Sequence, residues 1–283
     1  IQISGPDASH FLQGQLTANL NTLQAGDTVW AAHCNPKGRI ISNFFLYRQD
    51  EQNLLLLLPL ATIDIALNSL QKYAVFSKVT LSKVSDSYAI YGLANTYTAN
   101  TAHMLHINAH LAIACYDNNT VDDTLSASSD TTLWSQLLIE SGITLVLPET
   151  SDEFIPQMLN MDLLDGISFD KGCYTGQEII ARLKYKGEVK RRCFRFNLQQ
   201  KQDSSPYADA PQAGTAIVDE QLKPVGVISS ITHHNSRYIG LAVLKTATVA
   251  KNSPLFVQAT DQASTKFLCK ISDELPPYAI NNK

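Results

Sequence analysis

The chain has 283 residues, of which 45% are hydrophobic and 17% are charged, and its formal net charge is -4. A chain of this composition can bury a substantial core, which excludes an intrinsically disordered protein, and the length is typical of about two domains. An acidic protein has no overall attraction for a phosphate backbone. Nucleic-acid binding would therefore need a local basic patch.

The five cysteines are odd in number, widely spaced and without a C-x-x-C pair. This pattern argues against a disulfide framework or a local metal site, and it favours a reducing compartment such as the cytoplasm. The most apolar run, Leu54–Leu60, is broken by Pro59 and is far shorter than the roughly 20 residues of a membrane span. We expect a soluble cytoplasmic protein without a membrane partner, and further residues upstream of Ile1.

The N-terminal part of the chain combines short helices with short strands. A polar cap and an early proline predict a helix over Pro6–Leu16. Residues 35–38 (NPKG) suit a type I turn between two β-rich runs, so we predict a hairpin there. The predicted strands are Thr28–Cys34, Arg39–Tyr47, Leu54–Leu58, Val79–Val84 and Tyr88–Leu93, and a second helix is predicted over Ala61–Tyr73.

The remainder of the chain has a mixed part followed by a β-rich part. Leu111–Tyr116 is a clear strand, and Asp130 is a candidate N-cap for a helix that stops near Gly142. After Asn197 the chain has short β-like runs with no helical period, which predicts a small barrel. These runs are Gly214–Val218, Val225–Ile231, Tyr238–Leu244, Leu255–Ala259 and Phe267–Ile271.

The order of these elements predicts an α+β fold, because hairpins replace a strict βαβ alternation. We predict an α+β region over residues 1–197 with two subdomains split near residue 95. A polar linker over 198–212 and a C-terminal β-barrel over 213–283 follow.

The strongest functional signal is the run Gly166–Arg182, GISFDKGCYTGQEIIAR. Thr175 and Glu178 have the spacing of a capping box, which predicts a helix from Gly176 to about Gly187.

Cys173 would then lie just before a helix N-terminus. Free N–H groups, the helix dipole and the cation of Lys171 would lower the pKa of its thiol and make it nucleophilic. These residues alone leave a second interpretation open, in which Cys173 is a small buried side chain in a tight turn.

Residues 171–178 (KGCYTGQE) closely resemble the motif of YgfZ-type folate-binding proteins, which are relatives of the glycine-cleavage T-protein. The resemblance extends over most of residues 3–192, and the C-terminal barrel agrees with the family in type only. Further matching segments are GQLT at 14–17, AHCNPKG at 32–38, YAVFSKV at 73–79, IESG at 139–142, FIPQ at 154–157 and GISF at 166–169.

The resemblance implies a T-protein-like ring of subdomains around a central cavity for tetrahydrofolate or a one-carbon derivative. Trp134 matches a tryptophan that contacts folate, and Glu140 matches a glutamate that hydrogen-bonds the pterin. An indole offers a stacking face and a carboxylate accepts paired N–H donors, although Trp134 alone would suggest core packing. The resemblance assigns the reactive thiol to Cys173 beside Lys171, and folate binding also to Tyr174, Gln177, Glu178 and Arg182.

One departure from the T-protein pattern concerns an aspartate pair after the first hairpin turn, whose positions here hold Ser42 and Asn43. Neither side chain can act as a carboxylate base. The resemblance therefore implies a folate-binding protein that supports assembly or repair of iron–sulfur clusters in target enzymes, including tRNA-modifying ones. Its partners would be folate and iron–sulfur enzymes or their assembly factors, and we expect no classical catalytic activity. The alternatives are a folate-dependent aminomethyltransferase and a thiol redox module that uses Cys193 as a resolving cysteine.

Two further clusters invite a functional interpretation. Six cations occur between residues 182 and 192, and they could hold a folate polyglutamate tail, an acidic partner or RNA. We expect no direct nucleic-acid binding, because no aromatic motif accompanies them. His103, His106 and His110 would share one face of a helix, but no acid or cysteine supports a metal site there, and we expect none. The six cations are Arg182, Lys184, Lys186, Lys190, Arg191 and Arg192.

Overall fold

The computed structural model describes residues 1–94, 103–118, 128–199, 211–234, 237–258 and 266–272. The chain forms two compact units and re-enters the first unit twice. The first unit consists of Ile1–Ser129, Leu145–Glu153 and Asp165–Ala181, and the second of Asp130–Thr144, Phe154–Leu164 and Arg182–Lys283. Much of the predicted linker and the predicted split near residue 95 lie outside the described residues, so the proposed domain boundaries stay predictions.

The first unit contains a five-stranded antiparallel sheet in the order β2-β3-β4-β1-β5. The predicted hairpin is confirmed, and its turn is closed by the N–H of Gly38, which donates to the carbonyl of Asn35 at 2.9 Å. The strands are β1 Gln2–Ser4, β2 Thr28–Cys34, β3 Ile40–Arg48, β4 Asn53–Leu57 and β5 Thr80–Ser82.

Two helices, α1 (Ala8–Gln13) and α2 (Ile63–Gln71), belong to the same unit as this sheet. Both predicted helices are confirmed, but α1 is shorter than predicted. Leu12, Leu70 and Phe44 are fully buried in one hydrophobic core with other residues of these elements. Apolar burial of this kind is the main stabilising contribution to such a fold.

His33 is a polar residue that lies fully buried on β2. Its Nδ1 lies 3.3 Å from the carbonyl oxygen of Gln15, and its Nε2 lies 2.9 Å from Oγ of Ser69. Because a carbonyl can only accept, Nδ1 carries the proton and Nε2 accepts from the serine hydroxyl. Burial lowers the pKa of His33 to about 4, so the neutral ring is part of the folded structure.

The second sheet of this unit is antiparallel, in the order β6-β8-β7, with β6 at Tyr88–Ala94, β7 at His103–His106 and β8 at Leu111–Asp117. The helical alignment considered for the three histidines is wrong, because His103 and His106 lie on a strand, where residues three apart face opposite sides. Nδ1 of His103 lies 3.1 Å from the hydroxyl of Tyr47. Within the described ranges, no group of three potential ligands could hold a metal ion.

The second unit contains a closed barrel of six strands, in the order β10-β11-β12-β9-β14-β13, with β10 paired to β13. The predicted C-terminal barrel is confirmed. Its first strand begins at Arg191, before the predicted barrel region, because Phe194, Phe196 and Leu198 alternate with polar residues and point into the barrel core. The strands are β9 Arg191–Gln199, β10 Ala216–Val218, β11 Pro224–His234, β12 Arg237–Lys245, β13 Leu255–Gln258 and β14 Lys266–Ile271, and helix α5 is Thr246–Ala250.

Helix α3 (Thr132–Glu140) packs on β11 and β12 in this unit. The predicted N-cap is wrong by one residue, because Thr131 occupies the N-cap position and makes no side-chain cap bond. Asp130 lies one position earlier, where its carboxylate accepts the N–H of Thr132 at 2.8 Å. Ile139 is buried with Cys193 and Leu241, which fixes one face of α3 on the barrel.

Helix α4 extends from Gln177 to Lys186, close to its predicted limits. No helix in the described part of the chain is long and apolar enough to cross a membrane.

The neutral state of His33 predicts a dependence of stability on pH. An unfolded histidine has a pKa of about 6.5, so between pH 6.5 and 4 the unfolded chain binds a proton that the folded chain does not. The free energy of unfolding should therefore fall with decreasing pH across this window, by up to about 1.4 kcal/mol per pH unit from this residue. Urea unfolding at a series of pH values gives the free energy of unfolding of the unaltered protein and of His33→Gln as a function of pH. If this free energy falls equally steeply with decreasing pH in both proteins, the assignment is contradicted.

Candidate functional site

Hydrogen bonds connect the motif loop, defined as residues 166–176, to the base segment, defined as residues 13–18. Two backbone bonds join them: the N–H of Ser168 donates to the carbonyl of Thr17 at 2.9 Å, and the N–H of Thr175 donates to that of Gly14 at 3.2 Å. The buried hydroxyl of Thr17 donates to the carbonyl of Gly166 at 2.6 Å and accepts the N–H of Ala32 at 2.9 Å. The loop is thus held along most of its length.

The ammonium group of Lys171 is the central contact between loop and base segment. Its Nζ donates to three carbonyl oxygens, those of Gln13 at 2.6 Å, Leu16 at 2.7 Å and Ala18 at 2.7 Å. A lysine has three N–H donors, so these carbonyls use all of them. Gln13 is the last residue of α1, where helix carbonyls lack intrahelical partners and a cation is favourable.

Burial lowers the pKa of Lys171 to about 8. The three carbonyls can only accept, so they favour the charged form. Lys171 is therefore an ammonium ion at neutral pH, and its donors are directed at the base segment.

Tyr174 and Gly176 connect the loop to its surroundings in the first unit. The ring of Tyr174 is half-buried, with Nζ of Lys171 5.0 Å from its centroid, and burial, with a smaller effect of Cys34, raises its pKa. Gly176 has φ +84°, and a Cβ atom there would clash with the carbonyl oxygen of Asn35 in the hairpin turn. Only glycine fits this approach.

The predicted capping box is replaced by other contacts. The hydroxyl of Thr175 donates to Oε1 of Gln15 at 3.2 Å, and Oε1 of Gln177 accepts the N–H of Tyr174 at 3.2 Å. Glu178 is exposed. The helix predicted to follow Cys173 does form, and Ile180 is fully buried.

Cys173 is exposed, whereas the other four cysteines are buried. Burial raises the pKa of Cys115 to about 11 and that of Cys193 and Cys269 each to about 12, and it raises that of Cys34 further. Cys173 is thus the accessible thiol of this chain. Cys193, considered above as a resolving cysteine, has its Sγ 3.7 Å from the hydroxyl of Ser229, in an environment that disfavours a thiolate.

Trp134, Glu140 and Arg182 belong to the second unit, whereas the other predicted site residues belong to the first. Trp134 is half-buried on α3, so part of its indole is accessible. Glu140 is exposed at the end of α3, and its Oε1 accepts a bond from Nε2 of Gln136 at 2.7 Å. Arg182 is exposed on α4. Their assignment to folate stays a prediction, as do the assignments of Tyr174, Gln177 and Glu178 and the reactive roles of Cys173 and Lys171.

Ser42 and Asn43 are both fully buried in the first unit. Oδ1 of Asn43 accepts the N–H of Val146 at 2.7 Å. The two positions that the sequence resemblance matches to the T-protein aspartate pair therefore hold neutral, buried side chains, and Asn43 fixes the segment that contains Val146.

The cationic run of the second unit is smaller than the sequence indicates. Both terminal nitrogens of Arg192 pair with the carboxylate of Asp162, at 2.8 and 2.9 Å, and Nη1 also contacts Asn160 at 3.3 Å. This largely buried pair binds the 154–164 segment to β9. The exposed cations of the run are Arg182, Lys184, Lys186 and Lys190.

Comparison with solved structures defines the class of fold. The crystal structure of the glycine cleavage system aminomethyltransferase T from Bartonella henselae matches with a TM-score of 0.60, covering 97% of this chain and 82% of that one at 12% identity. The family model of the GCVT N-terminal domain matches residues 1–118. The protein therefore has the T-protein fold.

Two sequence relatives define the family more closely. The "tRNA-modifying protein YgfZ" of Blochmanniella pennsylvanica is 31% identical over an alignment of 292 positions, gaps included, which covers 92% of this chain and 88% of the relative. The protein of the same name from Colwellia psychrerythraea is 32% identical over an alignment of 251 positions, which covers 78% of this chain and 74% of the relative. The chain belongs to the YgfZ family.

The role of Lys171 as an anchor predicts a loss of stability in Lys171→Met. This change keeps an apolar side chain but leaves three carbonyls without a donor, which should lower the free energy of unfolding by about 1–3 kcal/mol. The matched control Lys37→Met removes an exposed ammonium and should change stability by less than about 0.5 kcal/mol. Equilibrium urea unfolding distinguishes the two, and an equal, small effect of both variants would contradict the anchor.

Proposed function

We propose that this protein binds tetrahydrofolate or a one-carbon derivative in the cytoplasm and, through Cys173, supports assembly or repair of iron–sulfur clusters in target enzymes. Those targets include enzymes that modify tRNA, in keeping with the name given to its relatives. The observation that carries the proposal is the exposed thiol of Cys173 on a loop that Lys171 fixes by three hydrogen bonds.

The residues assigned to folate suit a flat heterocycle with an amide edge. The accessible part of the Trp134 indole offers a stacking face. The exposed carboxylate of Glu140 can accept two N–H donors, and its bond to Gln136 orients it. The cation of Arg182 would attract the negatively charged glutamate tail of folate.

The arrangement gives an aminomethyltransferase no support. Ser42 and Asn43 are uncharged and fully buried, so neither can serve as a base or balance an iminium-like cation. A thiol redox module also lacks support, because the other four thiols are buried.

Folate binding is tested by titration calorimetry of the full chain with tetrahydrofolate. Trp134→Leu should weaken binding about tenfold, equivalent to about 1.4 kcal/mol, because the stacking face is lost. Cys173→Ala should bind with nearly unchanged affinity. If the unaltered protein gives no binding heat, the folate assignment fails.

The role of the thiol is tested by replacing the gene in cells and measuring the activity of an iron–sulfur tRNA-modifying enzyme. Cys173→Ala should lower that activity without changing the stability of the protein. The control Asp170→Ala alters an exposed residue of the same loop and should retain activity. Full activity in Cys173→Ala would refute the proposed role of the thiol. A separate glycine-cleavage exchange assay should show no aminomethyl transfer by the unaltered protein, Cys173→Ala or Asp170→Ala.

A further inference from the structure

The docking loop, defined as residues 73–79 (YAVFSKV), connects α2 to β5 and presents apolar side chains to solvent. Phe76 is 99% exposed, Val75 is 73% exposed and Tyr73 is 39% exposed, with the ring of Tyr73 in an edge-to-face contact with that of His33. Contiguous exposed apolar groups of this kind mark interaction sites, because their exposure to water is unfavourable. Nothing in the proposed folate or thiol chemistry uses these side chains.

The conformation of the docking loop is fixed at its base. The N–H of Ser77 donates to the carbonyl of Ala74 at 2.9 Å, and the N–H of Val79 donates to that of Ser77 at 2.9 Å. The N–H of Lys78 donates to Oδ2 of Asp7 at 2.7 Å. Gly5, with φ +131°, approaches the carbonyl of Lys78 so closely that a Cβ atom would clash with it.

Side chains on either side of Phe76 also anchor the loop. Ala74 and Val79 pack against the hydrophobic core of the first unit. The loop therefore turns some side chains inward and holds Phe76 outward in a defined position. Because the loop is already ordered, it would lose little conformational entropy when a partner binds, which favours binding.

The charges around Phe76 indicate the chemistry of that partner. Lys72 and Lys78 flank the exposed apolar residues, and the sequence has no acidic residue between Asp64 and Asp86. The carboxylate that contacts the loop is that of Asp7, which accepts the backbone N–H of Lys78 at 2.7 Å. Asp64 pairs with Lys83 at 3.6 Å. The complementary surface is an apolar socket rimmed by carboxylates.

We propose that the docking loop binds the target iron–sulfur enzyme, with Phe76 in an apolar socket and Lys72 and Lys78 facing carboxylates at its rim. This inference rests on the proposed function, because it takes the partner from it. One aromatic and two lysines are a weak membrane anchor, since stable anchoring needs a second signal. The net charge of -4 also disfavours anionic lipid and RNA.

The direct test measures binding of the full chain to a purified iron–sulfur tRNA-modifying enzyme by biolayer interferometry. Phe76→Ser should weaken binding at least about tenfold, as loss of a central aromatic does at other interfaces. Its midpoint of urea unfolding should not change, because the side chain is exposed. The control Leu222→Ser removes another exposed apolar side chain, from the second unit, and should bind normally.

The electrostatic part is tested with the double variant Lys72→Glu/Lys78→Glu. It should bind at least about tenfold more weakly at low salt, and the difference from the unaltered protein should shrink as salt rises. Vesicles of phosphatidylcholine and phosphatidylserine and poly(U) RNA serve as alternative probes. Binding to either probe that Phe76→Ser abolishes would overturn the assignment to a protein partner.

The outcome separates this inference from the proposed function. If Phe76→Ser binds the enzyme like the unaltered protein, or if the unaltered protein does not bind it, the docking surface is refuted. Calorimetry with tetrahydrofolate and the cellular effect of Cys173→Ala still test the proposed function independently. If docking is lost in Phe76→Ser but Cys173→Ala retains full cellular activity, the surface stands and the role of the thiol fails.

Discussion

Three hydrogen bonds from one ammonium group hold together the part of the molecule on which the proposed chemistry depends. The Nζ atom of Lys171 meets the carbonyls of Gln13, Leu16 and Ala18, which end α1 or follow it. Those carbonyls need donors, and the lysine needs acceptors away from water. The side chain of Lys171 points inward, whereas the adjacent Gly172 and Cys173 are exposed. Lys171 thus provides hydrogen-bond donors to carbonyls at the end of α1 and holds the loop that carries the exposed thiol of Cys173.

This contact joins residues that are far apart in the chain, with a separation of 158 positions between Lys171 and Gln13. Neither segment can form the contact alone, so the exposed position of Cys173 depends on the tertiary fold of the first unit. Thr17 reinforces the same junction with a hydroxyl that both donates and accepts. Buried polar groups that are fully paired in this way favour a single arrangement of the chain.

Local patterns in the sequence predicted the hairpin, α4 and the barrel, because turn residues and hydrophobic periods act over short distances. The local patterns gave wrong predictions where a side chain bonds to a residue that is distant in the sequence. Thr175 bonds to Gln15 in place of the predicted capping box, and Arg192 is neutralised by Asp162. The anchor of Lys171 could not be predicted at all, since its acceptors are backbone carbonyls, which every residue carries. The GQLT segment at 14–17 resembles the family sequence, but its side chains do not indicate that its backbone supports the motif loop.

Native-state hydrogen exchange of Lys171→Met tests the central claim most directly. The amides of Ser168 and Thr175 donate to the base segment, so their exchange should accelerate selectively when the ammonium is removed. The amides that pair β2 with β3 should keep their protection after correction for any change in global stability. Unchanged exchange at Ser168 and Thr175, or equal acceleration throughout the unit, would contradict the view that Lys171 fixes the loop that presents Cys173.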